Sequence, residues 1–307
     1  MRLAVNYSTA LADLVAHGEV KLDLYKAPAW PDLIKKIDGA GPVYIHFPLR
    51  AGMGTGTPVN TETGEAPDWD AFETMMASTG TPWMSAHMGP QPDDHPALAA
   101  APWARQVTVI TDALIRDMGA LVARFGPDRV VGENIFEYFG MHLRPAVMPE
   151  VLTEVVETTG CGLLLDLSHA RLAARDLDVD ARAYVEALPV SRLRELHITG
   201  IQRFEGKWIR LVQANGVAQE TIEGWRGRWL DHLPMTDEDW TFFEWALGRI
   251  RDGAWPTPEI IAFEYGGVGA EFEAITVREE LAVQVPRLYA MVHANTEASK
   301  DYADVTD

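Results

Sequence analysis

The chain has 307 residues, 47% hydrophobic and 23% charged, a balance that suits a soluble globular protein with a sizeable core. Its formal net charge of -19 repels polyanions, so no nucleic-acid partner is expected. The single cysteine, Cys161, rules out an internal disulfide, and no run of about 18 apolar residues is present to cross a membrane. The segment MRLAVNYSTA also lacks the apolar stretch of an export signal, which makes a cytoplasmic protein the expectation.

Short β-rich runs alternate with longer helical patterns. The predicted strands are LAVNY, VKLDLY, PVYIHF, PWMSAH, RVVGEN, GLLLDL, LRELHI and EIIAFEY. The helices that follow them in turn are TALADLVAHG, PDLIKKID, WDAFETMMAS, the stretch from Trp103 to Gly126, PEVLTEVVETTG, DARAYVEAL, DEDWTFFEWALGRIRDG and VREELAVQVPRLYAMVHA. Pro149 and Glu150 open one helix, Thr236 to Asp239 reads as a capping box, and Gly126, Gly160 and Gly253 stand where helices stop. Eight such pairs predict an α/β fold, a single (β/α)8 TIM barrel over residues 1–293. Long loops are expected at about 50–67 and 200–234, and a polar, disordered tail at 294–307. In the first loop, GMGTGTP lacks the lysine and helix start of a phosphate-binding loop, which leaves a mobile connection as the reading.

Metal-ligand residue types close strand after strand. His46 ends the third, His87 the fourth and Glu133 the fifth; Asp166 and His169 close the sixth, His197 the seventh and Glu264 the eighth. Asp231 and His232 lie in the second long loop. In a barrel all the strand ends face one mouth, where such enzymes keep their active sites. Imidazole and carboxylate without thiolate suit zinc, iron, manganese or nickel, and so many donors exceed what one ion takes. Two or three ions follow, with Glu133 or Glu264 as candidate bridges and Glu133, Asp166 and Glu264 as the catalytic carboxylates. Taken alone, each residue has a plainer reading: an aspartate after a strand is commonly a helix cap, and a lone histidine is commonly hydrogen-bonded core. Arg50, Asn134 and Tyr138 follow ligand strands closely and are candidates for substrate contact.

The succession YIHFPL, MSAHMG, VGENIFEY, LLLDLSHARLAA, ELHITG, MTDEDW and IAFEYGG resembles the xylose-isomerase-like TIM-barrel superfamily from Leu3 to about His293. Within it, the chain is most similar to the multinuclear non-haem iron-dependent oxidative enzymes (MNIO). The resemblance implies a barrel with two or three irons that uses dioxygen to modify a peptide, commonly at a cysteine of a ribosomally made precursor. A separate precursor-recognition protein is a candidate partner. It also implies ligand roles for His46, His87, Glu133, Asp166, His197 and Glu264. Two departures stand out. His169 forms an Asp-x-x-His pair more like endonuclease IV and the sugar isomerases, and Asp231 and His232 are adjacent where the family shows Asp-x-His. The alternatives are therefore a divalent-metal sugar isomerase or epimerase acting on a small molecule, with zinc or manganese, and an endonuclease IV-like trinuclear zinc phosphodiesterase.

Overall fold

The computed structural model describes the backbone of residues 1–303 and the side chains of residues 1–294. Its strands are β1 (Arg2–Asn6), β2 (Leu24–Pro28), β3 (Val43–His46), β4 (Leu49–Ala51), β5 (Val59–Asn60), β6 (Met84–Met88), β7 (Val130–Glu133), β8 (Gly162–Asp166), β9 (Leu193–Ile198), β10 (Gly200–Arg203), β11 (Trp229–Leu233) and β12 (Ile260–Phe263). All eight predicted strands are present, within a few residues of the expected bounds. The chain divides into two compact units. The first comprises Met1–Ala27, Asp32–Val43 and the chain from His197 onward; the second comprises Pro28–Pro31 and Tyr44–Leu196.

In the second unit, β4, β6, β7 and β8 run parallel. Every residue of β8 is buried, as expected of a strand covered on both faces. Register does the positioning: Arg50 lies opposite His87, His87 opposite Glu133, and Glu133 opposite Leu164. The predicted helix at Trp103 runs to Phe125 and buries Ile110, Ala113, Leu114, Met118 and Leu121 along one stripe. Asp117 lies in that same stripe, fully buried. Its carboxylate accepts the backbone N–H groups of Gly52 at 2.9 Å, Gly54 at 2.8 Å and Gly56 at 2.8 Å. All three glycines have positive φ, and a Cβ on Gly52 would come within 2.8 Å of Pro90. The GMGTGTP segment expected to be mobile is thus pinned, and the 50–67 stretch also carries part of β4 and the antiparallel strand β5.

In the first unit, β2, β1 and β12 run parallel, with Asn6 opposite Lys26 and Val5 opposite Phe263. The 200–234 stretch corrects the expectation of a long loop. β10 and β11 form an antiparallel ribbon, and helices Lys207–Ala214 and Gln219–Trp225 lie between them. Phe204, Trp208, Val212, Ile222, Leu230 and Leu233 bury one another there, together with Ala274 and Ile275. Only glycine fits at Gly200, where a Cβ would fall 1.9 Å from the Pro234 carbonyl oxygen. A further helix absent from the predicted set, Leu167–Asp176, follows β8 directly. Thr236 and Asp239 form the expected capping box, and Gly160 caps its helix in the left-handed conformation. The last helix is Arg278–Ala303. Side chains beyond residue 294 and residues 304–307 lie outside the described residues, and with them most of the expected tail. Among the described residues no helix is long and apolar enough to cross a membrane.

Candidate metal centre

The second unit brings together His46, His87, Glu133, Asp166 and His169. The Nε2 atoms of His46 and His87 lie 3.3 and 3.2 Å from the same Glu133 oxygen, Oε2. The two rings meet edge to face with centroids 5.2 Å apart. His46, His87 and Glu133 each offer one donor atom, and the three atoms lie within 4.8 Å of one another. Ser85 Oγ stands 3.3 Å from His46 Nδ1, on the ring edge opposite the nitrogen that faces Glu133. Glu133 itself is buried, 1% exposed. Two imidazole nitrogens aimed at one buried carboxylate oxygen form a donor set that fits a divalent ion of the first transition series.

His169 joins this group by way of the helix that follows β8. Its Nδ1 lies 3.5 Å from Glu133 Oε1, but its nearer partner is the carbonyl of Asn134 at 2.9 Å. A carbonyl can only accept, so that contact makes Nδ1 the protonated nitrogen of the His169 ring. Asp166 is the N-cap of this helix: Oδ1 accepts the His169 N–H at 2.7 Å. The plain reading of Asp166 as a cap therefore holds, with Oδ2 3.8 Å from His169 Nδ1.

The proposed substrate contacts fare differently. The Asn134 amide is buried and clamps the Asp166 backbone, donating to its carbonyl at 3.0 Å and accepting its N–H at 2.8 Å. Arg50 is also buried; it pairs with Asp94 and donates to the Gly89 carbonyl at 3.2 Å. Burial pushes the Asp94 carboxyl up, yet Arg50 and the Gln91 N–H hold it below its ordinary range. Both side chains thus serve the frame rather than an open surface. Tyr138 is half-buried, and it and Phe139 adopt left-handed φ values of 42° and 63°. Such residues cost about 1 kcal/mol or more each and collect near functional sites. Phe136 links this turn to the ligand group, 5.2 Å from Tyr138 and 5.3 Å from His169 between ring centroids.

In the first unit His197 and His232 lie beside Glu264. His197 Nδ1 lies 3.2 Å from Glu264 Oε1. Asp231 is buried on β11. The neighbouring His232 has φ 56°, with its Nδ1 2.7 Å from the Glu264 carbonyl. That contact occupies Nδ1 as a donor. The same unit adds a residue missed in the sequence: Lys26, buried in the middle of β2 and paired with Glu264. Burial pushes the Glu264 carboxyl up, but His197 and Lys26 outweigh it and hold the group well below the usual carboxylate range. The available signal for Lys26 was a charged residue in an otherwise apolar strand end, YKAP.

Parallel strands closed by histidine and carboxylate donors define an α/β protein of the metal-binding TIM-barrel class. Over 95% of the chain it shares this fold with a xylose isomerase domain-containing protein from Salmonella typhimurium LT2, covering 97% of that protein at a TM-score of 0.52 and 13% identity. A D-psicose 3-epimerase solved in the presence of D-fructose covers 94% of the chain and 97% of its own, with a TM-score of 0.51 and 12% identity. At these identities the likeness shows the xylose-isomerase-like fold alone. The chain belongs to the family described as RiPP precursor modification enzyme MbnB/TglH/ChrH, whose model matches residues 25–217, and so to the MNIO enzymes. UPF0276 protein BPP1075 of Bordetella parapertussis is 27% identical over 173 residues, 53% of this chain and 55% of that protein. The chain thus spans little more than half the length of this relative.

Proposed function

We propose that the protein is a multinuclear iron-dependent oxidase or oxygenase that uses dioxygen to modify a peptide, with a cysteine-containing ribosomal precursor as the leading substrate class. The observation that carries this reading is the convergence of His46 and His87 on one Glu133 oxygen in a chain of this family. Bound iron, two or three ions, would supply the electron-transfer and dioxygen chemistry that no side chain offers. His46, His87, Glu133, Asp166 and His169 are assigned to hold metal in one unit, and His197, Asp231 or His232, and Glu264 in the other. The protein's own part is to fix these donors and keep water away. Asn134 holds the Asp166 backbone and the His169 tautomer in place, and Phe136 covers one side of the His169 ring. A cytoplasmic setting and a separate precursor-recognition partner belong to the same proposal; the buried single cysteine supports the first.

Anaerobic purification, metal analysis and dioxygen uptake with a Cys-containing precursor encoded beside the gene test it. The expected result is at least two irons per chain and peptide-dependent uptake. Stoichiometric zinc with no uptake would overturn it. One divalent ion with oxygen-independent turnover of a keto sugar would select the isomerase instead, and nicking of abasic DNA would select the phosphodiesterase.

A further inference from the structure

Lys26 is 5% exposed, and its ammonium pairs with Glu264 Oε1 inside the first unit. His197 Nδ1 approaches that same oxygen at 3.2 Å. A lysine is almost never buried this deeply without a partner, because its ammonium loses its hydration. Here the partner is a carboxylate assigned above to a metal. Position is set by the fold: Lys26 lies opposite Asn6 on the parallel β1, and the Tyr7 N–H donates to the Lys26 carbonyl at 2.8 Å. The strand is thus anchored at the lysine itself.

Two consequences follow from chemistry alone. A carboxylate can bind a cation through one oxygen or through both. An ammonium held on Oε1 competes with an ion for that oxygen, which disfavours the two-oxygen mode. A fixed positive charge on the carboxylate also repels any cation bound to its other oxygen, and a site of low dielectric strengthens that repulsion. We propose that Lys26 is a positioning residue that restricts Glu264 to one-oxygen coordination and weakens the affinity of the His197–Glu264 group for a divalent ion. The inference rests on the reading of Glu264 as a ligand. Its role in the enzyme is to keep one coordination position of that ion from being filled by protein, which is what an ion that must accept substrate requires.

The test is a titration of metal-free protein with Co2+, followed by the visible absorption of the bound ion, in wild type, Lys26→Met, Lys26→Arg and Glu264→Gln. Lys26→Met is expected to bind Co2+ at this group about tenfold more tightly, with weaker absorption as the coordination number rises. Lys26→Arg, which keeps the charge, should return both readouts toward wild type. Wild-type affinity and spectrum in Lys26→Met would overturn the proposal, as would weaker binding in a variant whose circular dichroism and thermal melting show it folded. Lys26→Gln, smaller and still uncharged, replaces the methionine variant if that one does not fold. Glu264→Gln separates the two layers: loss of Co2+ there upholds the ligand reading whatever Lys26→Met does, and unchanged binding removes that reading and the proposal with it.

Discussion

Glu133→Gln is expected to lower the metal affinity of the His46–His87 group by at least about a hundredfold, the upper end of what even indirect partners of a metal ligand contribute, and, on the proposed function, to abolish peptide turnover. The reason lies in one atom. Glu133 Oε2 faces the Nε2 atoms of His46 and His87 at 3.3 and 3.2 Å, and an amide in its place offers a weaker neutral oxygen or an N–H that repels the ion. Glutamine matches glutamate in size, so packing around this buried position is kept. In the metal-free protein the exchange removes a buried charge that is costly to desolvate. The melting temperature of the metal-free variant should therefore match or exceed that of metal-free wild type, while its metal content collapses. A variant that keeps its full metal content would show that Glu133 is a structural carboxylate.

Asp117→Ala is expected to destabilise the protein by about 3 kcal/mol, since three backbone donors lose their acceptor at about 1 kcal/mol or more each. The donors are the N–H groups of Gly52, Gly54 and Gly56, all on the segment that leaves β4, and the acceptor lies in the apolar stripe of the Trp103–Phe125 helix. Chemical denaturation measures the loss. Hydrogen exchange locates it: the three glycine amides should exchange on the order of a hundredfold faster, the equivalent of roughly 3 kcal/mol of local opening. A loss below about 1 kcal/mol, or unchanged exchange at those amides, would mean that other contacts hold the segment.

How much of this could be read from the residues depended on whether the signal was local. β8 was legible because Leu163, Leu164 and Leu165 are apolar on both faces and Asp166 ends the run. The ends of β3 and β7 announced His46 and Glu133 in the same way. Pairing across the chain was not legible. Asp117 looked like one charge on an amphipathic helix, and the glycines it holds lie about sixty positions away; nothing in either segment names the other. Lys26 was hidden for the same reason, its partner Glu264 being 238 positions distant. The 200–234 stretch misled because its strands and helices are short and bury a small core of their own rather than showing a long periodic face. Asn134 and Arg50 follow ligand strands closely in the sequence, and that proximity does not distinguish a substrate contact from a frame contact. Their hydrogen bonds to the Asp166 backbone and to Asp94 and Gly89 join residues that no local signal connects.

The proposed function requires that His46, His87 and Glu133 hold a redox-active metal. Anomalous diffraction at the iron edge, from crystals of protein purified and grown without oxygen, addresses it most directly. The account predicts an iron peak within about 2.0–2.3 Å of a nitrogen of His46, a nitrogen of His87 and a carboxylate oxygen of Glu133. No iron peak at those three side chains, with the protein folded and its iron located elsewhere or absent, would contradict it.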